Sequence, residues 1–139
     1  MIVLDTNVVS EAMRPEPAQC VRDWLNDQPI ETLYTTAITL AEIHFGLARL
    51  PVGRRKEVLA DQFELIARIW QGRVLPFDAH AARHYAVLAV AAHTSGRGFP
   101  TPDGYIAAIA AAHGFIVATR DVTPFKAASI QTINPWTEA

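Results

Sequence analysis

The sequence predicts an α/β domain, with a mostly parallel sheet flanked by helices. Short apolar runs rich in β-branched residues alternate with longer segments of helical periodicity along the chain. The short runs lack the in–out alternation of a half-solvated sheet, which is how strands buried on both faces read. No internal repeat, low-complexity tract or linker interrupts the pattern, so one domain over residues 1–139 is expected.

Ile2-Val3-Leu4 is the first strand and Leu33-Tyr34-Thr35 the second. Val74-Leu75-Pro76-Phe77 is a weaker third, because proline removes a ladder donor. Phe115-Ile116-Val117-Ala118 is the clearest strand, and residues 130–133 make the last of five. Val21, Trp24 and Leu25 mark a short amphipathic helix. Residues 38–50 form the next, stopped by Pro51 and Gly53. Val58, Leu59, Phe63, Ile66 and Trp70 recur at helical spacing over residues 54–70. An alanine-rich helix covers residues 79–93. The last long one opens at Thr101-Pro102, with Thr101 as N-cap and Pro102 as first helical residue, and closes at Gly114.

Half of the 139 residues are hydrophobic and 19% are charged, and a chain of this size buries about two-thirds of its unfolded surface. The single cysteine, Cys20, has no intramolecular disulfide partner and reads as a small core residue. The opening apolar run is cut by Asp5 with no basic region before it. The longest apolar stretches fall well short of the roughly 20 residues that span a bilayer. The expectation is a cytoplasmic protein with no membrane contact. A net charge of −2, from 12 basic and 14 acidic residues, argues against a protein that holds nucleic acid by general attraction. It leaves room for a nuclease, which needs local acid to hold metal and only a local basic rim for phosphate.

Four acidic residues stand out. Ligands of open parallel sheets bind beyond the carboxyl ends of the strands. Asp5 directly follows the first strand, and Asp121 follows the fourth after Thr119 and Arg120. Asp103 lies in the first turn of its helix and Glu42 one turn into another. Each also has a structural explanation. Asp5-Thr6-Asn7 suits a turn that caps a short helix, and Thr39-Leu40-Ala41-Glu42 matches a capping box. Asp103 suits the positive end of a helix dipole, and Asp121 the start of a loop.

Other constellations are weaker. His80 and His84 have the spacing of helical zinc ligands but lack the protease glutamate and a third ligand. No phosphate loop follows Gly96-Arg97-Gly98, and Ser10, Ser95 and Ser129 lie outside any nucleophile elbow. Thr6, Asn7, Thr119 and Arg120 flank the strand-end aspartates and suit either loop capping or a role with water or phosphate. Arg49 and Arg97 are candidates for a phosphate rim, against the ordinary alternative of solvated surface. The stretch around Tyr105, Ile106 and Ile109 suits packing against the sheet better than a partner surface.

Four ordered motifs run through nearly the whole chain. They are Met-Ile-Val-Leu-Asp5-Thr-Asn-Val-Val-Ser-Glu, Thr-Ala-Ile-Thr-Leu-Ala-Glu42-Ile-His-Phe-Gly, Pro-Asp103-Gly-Tyr-Ile-Ala-Ala-Ile-Ala and Ala-Thr-Arg-Asp121, followed by Ile-Asn-Pro-Trp136. In these the sequence resembles PIN-domain proteins, especially bacterial toxins of the VapC/FitB type. The resemblance implies a PIN-like three-layer α/β/α fold with a central, mostly parallel five-stranded sheet. It implies Mg²⁺-dependent endoribonuclease activity, with Mn²⁺ as a possible substitute, leaving a 5′-phosphate and a 3′-hydroxyl. Asp5, Glu42 and Asp103 become the core metal-binding and catalytic set, with Asp121 the more variable fourth member. A homodimer, a cognate VapB/FitA-like antitoxin and indirect contact with DNA through that antitoxin are implied as well. Two other functions compete: a non-catalytic PIN-fold domain that binds RNA or protein, and a Mg²⁺-dependent phosphatase or phosphoacceptor. The second fits poorly, because Asn7 stands where a haloacid-type phosphatase wants a second aspartate.

Overall fold

A computed structural model describes residues 1–138. Its central sheet has five strands: β1 (Ile2–Leu4), β2 (Leu33–Thr36), β3 (Val74–Leu75), β4 (Ile116–Ala118) and β5 (Thr132–Ile133). Their spatial order is β3-β2-β1-β4-β5, and every pairing is parallel. Starting from β1 the chain builds outward through β2 to β3, then crosses to the other side of β1 to lay down β4 and β5. The topological switch point therefore falls between β1 and β4, where a crevice opens beyond the strand ends.

Among the described residues seven α-helices connect the strands: α1 (Thr6–Met13), α2 (Gln19–Asp27), α3 (Ala37–Arg49), α4 (Arg54–Ile69), α5 (Ala79–Thr94), α6 (Thr101–His113) and α7 (Val122–Ala127). Alternate side chains of a strand point to opposite faces, and β1 divides accordingly. Ile2 and Leu4 join Val8, Val9, Val21, Trp24, Ile43, Phe63 and Ile66 from α1 to α4 in one core. Val3 and Val117 join Ile106, Ala107, Ala110 and Phe125 from α6 and α7 in a second. The result is the three-layer α/β/α arrangement expected, with an all-parallel sheet.

Several local expectations need correction. The helix at residues 101–113 is capped by Pro100, with Thr101 already its first residue and no side-chain cap bond. Helix α3 is capped by Thr36, whose hydroxyl accepts from the Thr39 N–H at 3.0 Å. Glu42 therefore lies too deep in the helix to close the box predicted with Thr39. The third and fifth strands shrink to two residues each. Helix α7 was not expected, and Asp121 is its N-cap residue rather than the start of a loop. A further 3₁₀ turn, Ile30–Thr32, precedes β2.

Helix α6 is the element that most directly positions the crevice. Gly104 and residues 106–110 are buried, and the small side chains of Ala107, Ala108 and Ala110 let α6 lie close to both the sheet and α5. At Gly104 the approach is tightest: a Cβ there would sit 2.9 Å from Cε1 of Tyr85. Tyr85 has little freedom to retreat, since its ring packs against Phe77 and Tyr105. Gly104→Ala is expected to destabilise the protein by about 1–3 kcal/mol, an overpacking cost. Chemical denaturation checks this, and an unchanged midpoint would mean that α5 and α6 separate freely.

Candidate active site

The crevice is built from the ends of four elements. Asp5 continues β1, its N–H donating to the Ala118 carbonyl at 2.9 Å, and then caps α1. Asp5 is 4% exposed, and each of its carboxylate oxygens accepts a hydrogen bond. Oδ1 accepts from the Thr6 N–H at 2.8 Å, and Oδ2 accepts from the Thr119 hydroxyl at 2.8 Å. Glu42 faces the same crevice from α3, where its Oε1 accepts from the Thr6 hydroxyl at 2.6 Å. Thr6 thus links two carboxylates, touching Asp5 through its backbone and Glu42 through its side chain.

Asp103 enters as the third residue of α6 and is half-buried. Among the described residues no donor contacts its carboxyl. Asp121 is exposed at the start of α7; its side chain makes no capping bond, while its N–H donates to the Thr119 hydroxyl at 3.1 Å. Thr119 is fully buried and receives a third contact, from Asn7 Nδ2 at 3.2 Å. Asn7 Oδ1 in turn accepts from the Arg120 N–H at 3.2 Å. Asn7 therefore stitches α1 to the loop after β4.

Electrostatics show that the four carboxylates share one field. Asp103 is pushed up to about 6, first by desolvation, then by the charges of Asp5, Glu42 and Asp121. Asp5 is also raised, chiefly by burial; the bonds from Thr119 and Thr6 oppose the shift, and Glu42 and Asp121 add to it. Among the described residues no lysine or arginine pairs with any of the four, since the ion pairs there involve Glu11 alone.

This donor set is all oxygen and all anionic, which suits a hard divalent cation such as Mg²⁺. No three acidic, histidine or cysteine side chains among the described residues converge closely enough to chelate an ion by themselves. Mg²⁺ usually retains several waters and takes only one or two carboxylates directly, so the spacing fits a water-rich site rather than a protein cage.

A cavity of about 1020 Å³ adjoins the crevice between α1, α3 and α4. Asn7, Glu11, Glu42, Leu47 and Arg120 are among its walls. Of the other residues marked by the sequence, His80 and His84 meet edge-on at 4.9 Å between rings, without a third ligand. Arg49 lies over Phe45, and Arg97 lines a separate cavity of about 390 Å³. Neither joins the acidic crevice. Glu11 was not singled out in the sequence, yet it is buried and accepts from the Ala18 N–H at 3.0 Å. Its place in the Val-Val-Ser-Glu motif was the available signal.

The PIN domain family model matches residues 2–130. The chain belongs to the PIN-domain family. It is 53% identical to the VapC ribonuclease Y4jK of Sinorhizobium fredii, over the full length of both. It is 45% identical to Toxin FitB of Neisseria gonorrhoeae, over 98% of this chain and 99% of that one. The crystal structure of FitAcB from Neisseria gonorrhoeae superposes with a TM-score of 0.93 at 45% identity, covering 99% of this chain and 100% of that one. As a PIN domain related to VapC ribonucleases, the chain is a metal-dependent nuclease. No helix among the described residues is long and apolar enough to cross a membrane.

The carboxylate field has a measurable consequence in metal-free protein. A folded-state pKa raised from 3.8 to about 6 means that the folded chain holds the Asp103 proton more tightly than the unfolded chain. The penalty is absent below 3.8, grows through that window and is complete above about 6. In EDTA, Asp103→Asn should therefore raise the melting temperature at pH 7.5 and leave it unchanged near pH 3.5. An equal effect at both values would place Asp103 outside the shared field.

Proposed function

We propose that this chain is an endoribonuclease that hydrolyses RNA phosphodiester bonds, with Mg²⁺ as its working ion and Mn²⁺ as an acceptable substitute. The observation that carries this reading is the set of carboxylates from the end of β1, from α3 and α6, and from the cap of α7, near one another with no cation paired to them among the described residues. Asp5, Asp103 and Glu42 would hold the ion, directly or through water, and Asp121 would contribute when substrate is present. A divalent cation bound there would neutralise the phosphodiester and lower the pKa of a water molecule.

The remaining work falls to the chain's own groups. The Thr6 N–H and Thr119 hydroxyl fix the plane of the Asp5 carboxylate. The Thr6 hydroxyl fixes Glu42. Glu42 orients the attacking water and accepts its proton as oxygen bonds to phosphorus. Asp121 is exposed and therefore the carboxylate best placed to respond to the incoming strand. In-line attack breaks the P–O3′ bond, and the departing 3′-oxygen takes a proton from solvent, leaving a 5′-phosphate and a 3′-hydroxyl.

The similar proteins also point to partners. FitAB is described in complex with a DNA fragment, and that structure covers all of this chain at a TM-score of 0.93. For this chain we propose a toxin role, with a cognate VapB/FitA-like antitoxin that silences it and makes the contact with DNA. A second copy of the chain completes a homodimer.

Purified protein free of antitoxin should cleave RNA with Mg²⁺ and stop with EDTA. Asp103→Ala should lower the rate by more than about 100-fold, beyond the loss typical of a ligand's supporting partner. Thr119→Val keeps the shape but removes the hydroxyl behind Asp5, and should cost about 10–100-fold in rate. RNA bound but never cut in Mg²⁺ would favour a non-catalytic binding domain instead.

A further inference from the structure

Arg120 sits between Thr119, the residue behind Asp5, and Asp121. Its backbone is held from both sides, the N–H by Asn7 Oδ1 at 3.2 Å and the carbonyl by Asn134 Nδ2 at 3.4 Å. Its guanidinium lies over the Trp136 ring, 4.1 Å from the centroid. A stack of this kind covers one face of the guanidinium and leaves the N–H donors around its edge uncovered. Trp136 is itself fixed, through its N–H donating to Asn134 Oδ1 at 3.0 Å.

The nearest carboxylate does not consume this charge. Glu11 Oε1 is 4.0 Å from the Arg120 guanidinium, and the Arg120 side chain is 59% exposed. Glu11 already accepts from the Ala18 N–H at 3.0 Å and approaches Arg14 at 3.5 Å. Arg120 is thus a fixed, outward-facing cation one residue from an acidic crevice that repels RNA. Its side of the crevice opens onto the large cavity, which Arg14, Arg54 and Arg55 also line. With a net charge of −2, the chain has no general attraction for RNA to draw on.

We propose that Arg120, braced on Trp136 and tethered through Asn7, is a substrate-binding residue that grips a backbone phosphate of the RNA strand beside the scissile bond. This rests on the ribonuclease reading above. Arginine suits the task because its planar fork donates two parallel hydrogen bonds to one phosphate. The competing explanation is a structural staple, in which Arg120 merely ties the C-terminal segment to α1 through Trp136 and Glu11.

The two differ in the salt dependence of RNA binding. The full chain carrying Asp103→Asn, with Mg²⁺, is titrated with a fluorescently labelled single-stranded RNA of mixed sequence over a range of KCl concentrations. Adding Arg120→Gln should make the slope of log K against log[salt] shallower by about 0.7, the loss of one phosphate contact to a single strand. In the otherwise unaltered enzyme Arg120→Gln should raise KM about ten-fold with kcat changed less than two-fold, the mark of uniform substrate binding. Arg120→Lys should restore the slope, and Arg83→Gln, an exposed change on α5, should leave it alone. An unchanged slope and KM in Arg120→Gln, with only a lower melting temperature, would overturn the proposal in favour of the staple while leaving the ribonuclease reading intact. If the unaltered chain neither binds nor cuts RNA, both fall together.

Discussion

At the carboxyl end of the central strand the chain buries a charge. An ion removed from water costs several kcal/mol unless donors surround it, and at Asp5 those donors are the Thr6 N–H and the Thr119 hydroxyl. The position of Thr119 follows from strand register: Leu4 pairs with Ala118, so the residues just past each strand end lie side by side. Slipping β4 by one residue would turn Thr119 to the opposite face. Thr119 also receives the Asp121 N–H and the Asn7 side chain, so that single hydroxyl couples β1, α1 and the start of α7. Sheet and site are consequently one construction.

The second constraint is repulsion. Glu42, Asp103 and Asp121 are each held toward Asp5 by backbone elements that pack for apolar reasons. α6 brings Asp103 through the burial of Ile106, Ala107 and Ala110 against Val3 and Val117. α3 brings Glu42 through the packing of Ile43 into the other core. α7 follows Asp121 and is anchored by fully buried Phe125, a side chain whose burial contributes about 1.5–3 kcal/mol. Two hydrophobic layers thereby hold four acidic side chains near one another, and the protein retains local electrostatic strain that a cation bound there would relieve. Stability surrendered at a functional site is a common arrangement.

The strands and the two strand-end aspartates were legible because both signals are local: a β-branched apolar run followed directly, or after Thr119 and Arg120, by an acidic residue. The three layers followed from alternation alone. Glu42 was less legible. The sequence points to Thr39 as the cap of a box with Glu42, whereas the helix starts earlier, as the chain leaves β2, and Thr36 caps it. What orients Glu42 is Thr6, 36 residues away, and no local pattern reports such a contact. Helix α7 escaped notice because Pro124 breaks an already short segment. The structure tolerates it in the first turn, where the missing N–H has no helical partner to lose. Position beside Asp121 marks Arg120 in the sequence and a motif marks Glu11, but the stacking of one and the burial of the other exist only once the chain is folded.

Whether these carboxylates share a divalent cation is tested, without passing through activity, by anomalous diffraction from crystals of the protein grown with Mn²⁺. A peak is expected in the crevice bounded by Asp5, Glu42 and Asp103. A crevice empty at saturating Mn²⁺, or a strong peak at the His80–His84 pair instead, would contradict a shared cation.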